Sequence, residues 1–201
     1  MGKQIAQIDA ELAAWISAQR VFFVATAPLS PDAHINVSPK GGDAFRVLGP
    51  LEAAYHDYTG SGAETAAHLR ENRRIVIMFC AFHGPPKIVR LHGFGQVVTP
   101  GHPEYASLAA KFPANPGTRA FVHIAVNRVS SSCGFGVPFY EFQSGRDTLD
   151  LWAVNKGPEA LTEYRTLKNQ TSIDGLAAFE PEAWRSDANG LTGRPPTPPQ
   201  S

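Results

Sequence analysis

At 201 residues the chain is long enough for one domain with a substantial core. Its 18 Lys and Arg equal its 18 Asp and Glu, which removes the broad positive field expected of a nucleic-acid binder and leaves small molecules, or a second copy of the chain, as expected partners. No apolar run approaches the length that crosses a bilayer and the N-terminus reads as an amphipathic helix, so the chain is expected to be soluble and cytoplasmic, with no membrane partner.

Ile5, Ile8, Leu12, Trp15 and Ile16 recur at helical spacing and predict a helix over residues 5–19 with one face, Trp15 included, on the core. Val21 to Ala27 is rich in β-branched and aromatic residues and stops at Pro28, which reads as a buried strand followed by a turn. Its hairpin partner is Ile35-Asn36-Val37-Ser38, alternating as a half-buried strand does until Pro39 stops the ladder and leaves Lys40 at the strand's end. Residues 44–48 and 52–58 read as short strands parted by Gly49 and Pro50. Ser61 with Glu64 three residues on has capping-box spacing, so a helix is expected over 61–72.

The apolar run 74–82 suits a strand in the middle of a sheet. A further strand is expected over 87–98, where Gly93 and Gly95 suggest a bulge or sharp bend, then a short helix over 103–112 and a long strand over 119–129. Beyond Val129 come a turn-rich segment around Cys133, helical pieces at 148–153 and 158–168, and a Pro-rich end at 192–199 that cannot pack a core. Strands outnumber helices without alternating with them, so the expected fold class is mainly β (α+β), a closed or partly closed antiparallel barrel with flanking helices. The expected organisation is one domain over 1–178, with a helical extension from about 130 and a poorly structured tail over 179–201.

The stretch 35–72 carries the chemistry. A helix start leaves its first N–H groups unpaired and adds a partial positive charge, which makes it an anion site. Gly60 and Gly62 would let a phosphate approach the backbone, the hydroxyls of Thr59, Ser61 and Thr65 could donate to it, and Lys40 could supply full charge. An ordinary capped helix without a ligand is the alternative, and Glu64 must point away if an anion binds. The seven histidines show no metal spacing, so no metal site is expected; no Gly-x-Gly-x-x-Gly, Walker-type loop or Gly-x-Ser-x-Gly elbow occurs, which counts against Rossmann, phosphoryl-transfer and α/β-hydrolase chemistry. Two cysteines, Cys80 in a strand and Cys133 in a turn, suit a reducing compartment. His68 reads as a packing or capping histidine, and Trp152 as a buried aromatic or a flavin cover supplied by a partner subunit. Arg90 could reach a cofactor, snorkel to a barrel rim or pair with an acid.

These pieces in this order resemble the pyridoxamine 5′-phosphate oxidase-like family of FMN-binding split β-barrels, in a subgroup distinct from the vitamin B6 oxidase itself. The resemblance rests on Phe22 to Ala27, Ile35 to Gly41, Asp57 to Gly62, Glu64-Thr65, His68-Leu69, Ile77 to Phe79, Arg90 to Gly93 and Ser132 to Pro138. It implies an antiparallel split barrel, a homodimer with the cofactor at the interface, and a flavin-dependent oxidoreductase acting on a small molecule. It further implies phosphate contact for Lys40, a flavin ring along Asn36, Val37 and Ser38, and phosphate contacts from Tyr58, Thr59, Ser61 and Thr65. Where the vitamin B6 oxidase carries an arginine-lysine pair at the helix start, this chain has Glu64 and Thr65. The loss of two cations weakens the clamp and leaves FMN or a deazaflavin as cofactor. A flavin- or haem-binding carrier or sensor without turnover is the alternative function.

Overall fold

The strands predicted from the sequence join in one antiparallel sheet in the computed structural model, which describes residues 2–184. In chain order the elements are β1 (Lys3–Ile5), α1 (Ala10–Ser17), β2 (Val21–Thr26), β3 (Asn36–Gly41), β4 (Phe45–Gly49), β5 (Glu52–Tyr58), α2 (Glu64–Asn72), β6 (Arg74–Cys80), β7 (Ile88–Val98), α3 (Tyr105–Ala109), β8 (Thr118–Ser132) and α4 (Thr148–Lys168), followed by a 3-10 turn at Pro181–Trp184. The sheet runs β3-β2-β6-β7-β8-β5-β4, with β1 added along β8. Four strands separate β2 from β4 in this order. Even so, the rings of Phe22 on β2 and Phe45 on β4 lie 5.2 Å apart, because the sheet curls round on itself. The fold is a split β-barrel with flanking helices.

Alternation along each strand fills the barrel. Phe22 and Val24 of β2, Ile75, Ile77 and Phe79 of β6, Val89 and Leu91 of β7, and Val122 and Ile124 of β8 point inward and share one core with Leu12 and Ile16 of α1. A smaller cluster sets Ala63, Ala66 and Ala67 at the start of α2 against Ala120, Phe179 and Trp184. Under α3, Leu108 and Phe112 pack on Phe121, Val98 and Ala54.

The differences from expectation are local. The N-terminal helix begins at Ala10, capped by the Asp9 carboxylate accepting from the Leu12 N–H, while Ile5 belongs to β1. Trp15 is only half-buried, packing against the core with the Lys87 ammonium 4.7 Å from its ring centre. Pro39 does not end β3, because β3 is an edge strand and a residue without an N–H is tolerated there; it pairs with Phe23 and the ladder continues to Gly41. The bend expected near Gly93 is a register shift between His92 and Gly93, where a β-carbon would collide with the Ala125 carbonyl. At Gly95 the missing side chain admits Leu69 of α2. Gly157 (φ 76°) breaks α4 and Pro158 restarts it, as the two expected helical pieces require. The boundary drawn at 178 falls within a packed segment, since Phe179 and Trp184 are buried. The Pro-rich residues 192–199 lie outside the described residues.

Candidate functional site

Gly60, Ser61 and Gly62 separate β5 from α2. The expected capping box does not form. The N-cap is Ala63, which makes Glu64 the first helical residue instead of the third, so neither Ser61 nor Glu64 can bond across the first turn. The first intrahelical bond runs from the Ala67 N–H to the Ala63 carbonyl, and no side chain caps the amides before it. In front of this end lies a cleft of about 460 Å³ lined by His34, Ile35, Asn36, Ser61, Gly62, Glu64 and Ile173.

Two of the sequence-predicted residues, Asn36 and Ser61, line this cleft, and a third, Thr65, is bonded to the first. The Asn36 amide donates to the Thr65 hydroxyl at 3.0 Å, and Ser61 lies exposed on the facing wall. Ser38, next on the same face of β3, donates to Asn36 Oδ1 at 3.3 Å. One side of the cleft is latched by His34, whose backbone N–H donates to Asp174 Oδ2 at 2.9 Å and whose Nδ1 lies 2.7 Å from Oδ1. Glu64 does not point away as an anion requires, so a ligand anion in the cleft must displace its carboxylate. That carboxylate lies against Gly62, 2.8 Å from where a β-carbon would stand.

The other predicted residues are placed differently. Lys40 sends its ammonium to Asp57 Oδ1 at 3.1 Å, over the Tyr55 ring. Thr59 is buried, its hydroxyl donating to the Gly117 carbonyl and accepting from Arg165 Nε, so both roles are already filled. Tyr58 packs at a tilt beside His56, with ring centres 4.5 Å apart. Val37 is 60% exposed on the outer face of the sheet. Arg90 alternates with the inward Val89 and Leu91, so it too lies on the outer face, where Nη1 donates to Ser132 Oγ at 3.2 Å.

Behind the loop is a set of charges that sequence reasoning missed. Asp57 is buried between Lys40 and Arg119, accepting from Arg119 Nε and Nη2 at 2.9 and 2.8 Å. Burial would raise the Asp57 carboxyl, but Arg119 and Lys40 outweigh it and hold the group below its ordinary value. Arg119 also donates to the Gly60 and Gly62 carbonyls, and Asn169 donates to that of Gly60 at 2.8 Å. Only Asp57 and Arg119 leave a trace in the sequence, as charges set next to apolar runs in their strands. Arg165 and Asn169 leave none.

Two buried histidines flank the site. His68 accepts or donates at Nδ1 with the Thr26 hydroxyl at 2.9 Å, and its Nε2 is buried without a partner. Burial keeps its pKa below the ordinary value, in line with a packing role. The Thr118 hydroxyl donates to the Asn115 carbonyl, so it must accept from His56 Nε2–H, which leaves His56 Nδ1 bare and unpartnered. Burial lowers the His56 pKa to about 4. Trp152 is half-buried against Tyr164, and Cys133 is an exposed free thiol. Among the described residues no cluster of His, Cys, Asp and Glu could hold a metal ion, and no helix is long and apolar enough to cross a membrane.

Comparison with known proteins adds an independent line. The sequence profile of the pyridoxamine 5′-phosphate oxidase family matches residues 8–133. Over 181 residues the chain is 38% identical to the pyridoxamine 5′-phosphate oxidase family protein ustO of Aspergillus flavus, covering 81% of this chain and 72% of that protein. A solved single-residue variant of HupZ from Group A Streptococcus superposes with a TM-score of 0.50 at 23% identity, over 62% of this chain and 99% of that one. The profile match ends at the close of β8, so α4 and the segment after it lie beyond it.

Proposed function

Because the chain belongs to the pyridoxamine 5′-phosphate oxidase family, we propose that the cleft before α2 holds the phosphate of a flavin, FMN foremost, and that the protein is a flavin-dependent oxidoreductase acting on a small molecule. The observation that carries this reading is the uncapped start of α2 facing a cleft lined by Asn36 and Ser61, with Thr65 held beside it by the Asn36 amide. These groups suit a phosphate held by amides and hydroxyls, with Lys40 and Arg119 contributing field from behind because Asp57 engages both. A flavin, when bound, supplies the hydride or electron chemistry. The chain's own part is to bind and orient: Ser61 and Thr65 donate to the phosphate, and the Asn36-Ser38 hydrogen bond fixes the polar face of β3 beside the ring. A deazaflavin phosphate would satisfy the same groups.

The homodimer belongs to this reading. Val37 and Ile35 are 60% and 73% exposed on β3 and the strand approach to it, and Phe135, Phe139, Tyr140 and Phe142 stand exposed after β8. An apolar surface of this kind suits cover by a second copy. Light scattering should give twice the chain mass, and Val37→Asp should shift it toward the monomer.

The deciding experiment is an absorption titration with FMN. Saturable uptake near one flavin per chain, weakened roughly tenfold or more by Ser61→Ala with Thr65→Val, is expected. A protein that takes up no flavin refutes the reading. Turnover is separated from carriage by anaerobic addition of NADH or NADPH: a bound flavin that neither reduces favours the carrier or sensor function.

A further inference from the structure

The extension beyond β8 folds back onto the loop that opens α2, and we propose that Arg165 and Asn169 are positioning residues that turn this loop's amides toward a phosphate. The inference rests on the reading just given. Arg165 is 8% exposed and Asn169 is fully buried, so neither is placed to touch a ligand in the cleft directly.

Their hydrogen bonds run to the inner side of the loop. Arg165 Nε donates to the Thr59 hydroxyl at 2.8 Å and Nη2 to the Thr118 carbonyl at 2.9 Å, which ties the end of β5 to the start of β8. Asn169 Nδ2 donates to the Gly60 carbonyl at 2.8 Å and more distantly, at 3.4 Å, to that of Ser61. Arg119 completes the set at the Gly62 carbonyl, 2.9 Å away. In a trans peptide the carbonyl and the next N–H point in opposite directions. With the carbonyls of Gly60 and Ser61 drawn inward, the N–H groups of Ser61 and Gly62 turn outward, where both residues line the cleft. The result is a row of amides continuous with the unbonded first turn of α2.

A separate observation also points to an anion. Lys40 and Arg119 share one carboxylate, Asp57, and among the described residues no carboxylate pairs with Arg165. Burial and the neighbouring Arg119 push Arg165 down to about 10, so it is still charged at neutral pH. A buried guanidinium without a counter-charge is costly unless hydrogen bonds and a nearby anion offset it. A phosphate on the far side of the loop would supply that anion. Since residues 134–184 lie outside the profile match, the family stretch alone does not contain these groups.

FMN and riboflavin differ by the phosphate, so their affinity ratio reads the loop and not overall fold integrity. In Arg165→Met and in Asn169→Leu the Kd for FMN should rise about tenfold while that for riboflavin moves less than about twofold. A folded variant that keeps the wild-type preference for FMN overturns the inference. Should Arg165→Met not fold, Arg165→Lys keeps the charge but cannot hold Thr59 and Thr118 together, and it should lose part of the preference; an unchanged ratio again overturns the inference. Wild-type protein that binds riboflavin as tightly as FMN refutes the phosphate reading itself, and the positioning role falls with it.

Discussion

Lys40 and Asp57, 17 residues apart in sequence, meet at 3.1 Å across the inside of the curled sheet. The ammonium expected to serve a ligand directly is therefore shared with a carboxylate that also engages Arg119 through two nitrogens. Charge at this site acts from beneath the loop.

Arg119 is the member whose loss should be least tolerated. Arg119→Leu strips Asp57 of its closer partner in a buried position and frees the Gly62 carbonyl, which predicts a loss of roughly 3–5 kcal/mol in a urea unfolding titration. Arg119→Leu paired with Asp57→Leu should recover a large part of that loss, because both buried charges of the pair then go together. A single variant as stable as wild type would show that Asp57 is not dependent on Arg119.

Glu64 should act against the proposed ligand. Its carboxylate lies over Gly62 at the cleft wall, where it competes with an anion for the same amides. Glu64→Gln should tighten FMN binding about threefold to tenfold at low salt, while lowering helix stability by roughly 0.5 kcal/mol through loss of a first-turn acid. The opposite signs make the outcome easy to read by titration and thermal melt. Weaker FMN binding in the variant would contradict this role.

Stability should fall on mild acidification. His56 has a folded pKa of about 4 against an ordinary 6.5, so between those values the unfolded chain binds more protons and stability rises with pH. The contribution is complete above about pH 6.5, declines as pH falls toward 4, and amounts to roughly 3 kcal/mol at most. Below that, Asp57 adds a second loss: its folded value is depressed, so its stabilisation is present above the ordinary carboxylate range and disappears as pH falls through the folded value. Removing the titrating ring with His56→Phe should flatten the melting-temperature profile between pH 6.5 and 4. An unaltered slope would assign the dependence elsewhere.

The two glycines of β7 should differ in tolerance. A β-carbon at Gly93 meets the Ala125 backbone, which cannot move without opening the β7–β8 ladder, whereas one at Gly95 meets the end of the Leu69 side chain. Gly93→Ala is expected to cost roughly 1–3 kcal/mol or more, and Gly95→Ala less, because the Leu69 side chain can shift. Equal losses in a denaturant titration would show that side-chain and backbone obstruction weigh alike here.

Much of the barrel is legible locally because strand alternation and turn residues report on nearest neighbours. Val21–Thr26, Glu52–Tyr58 and Arg74–Cys80 stand within two residues of where periodicity places them, and Gly93 marks a real register shift. Pro39 and the Ser61-Glu64 pair misled for the same reason in reverse: whether a proline ends a strand depends on its place in the sheet, and whether a box closes depends on where packing starts the helix. The sequence by itself determined the succession of strands along the chain, the glycine-flanked helix start and the polar residues of β3. Tertiary structure alone decided that Lys40 answers to Asp57, that Arg90 and Val37 face outward, and that Arg165 and Asn169, more than a hundred residues from Thr59 and Gly60, hold that loop. Local pattern carries no information on which distant charges a curled sheet will bring together, since those pairings are set by closure of the barrel and the return of α4.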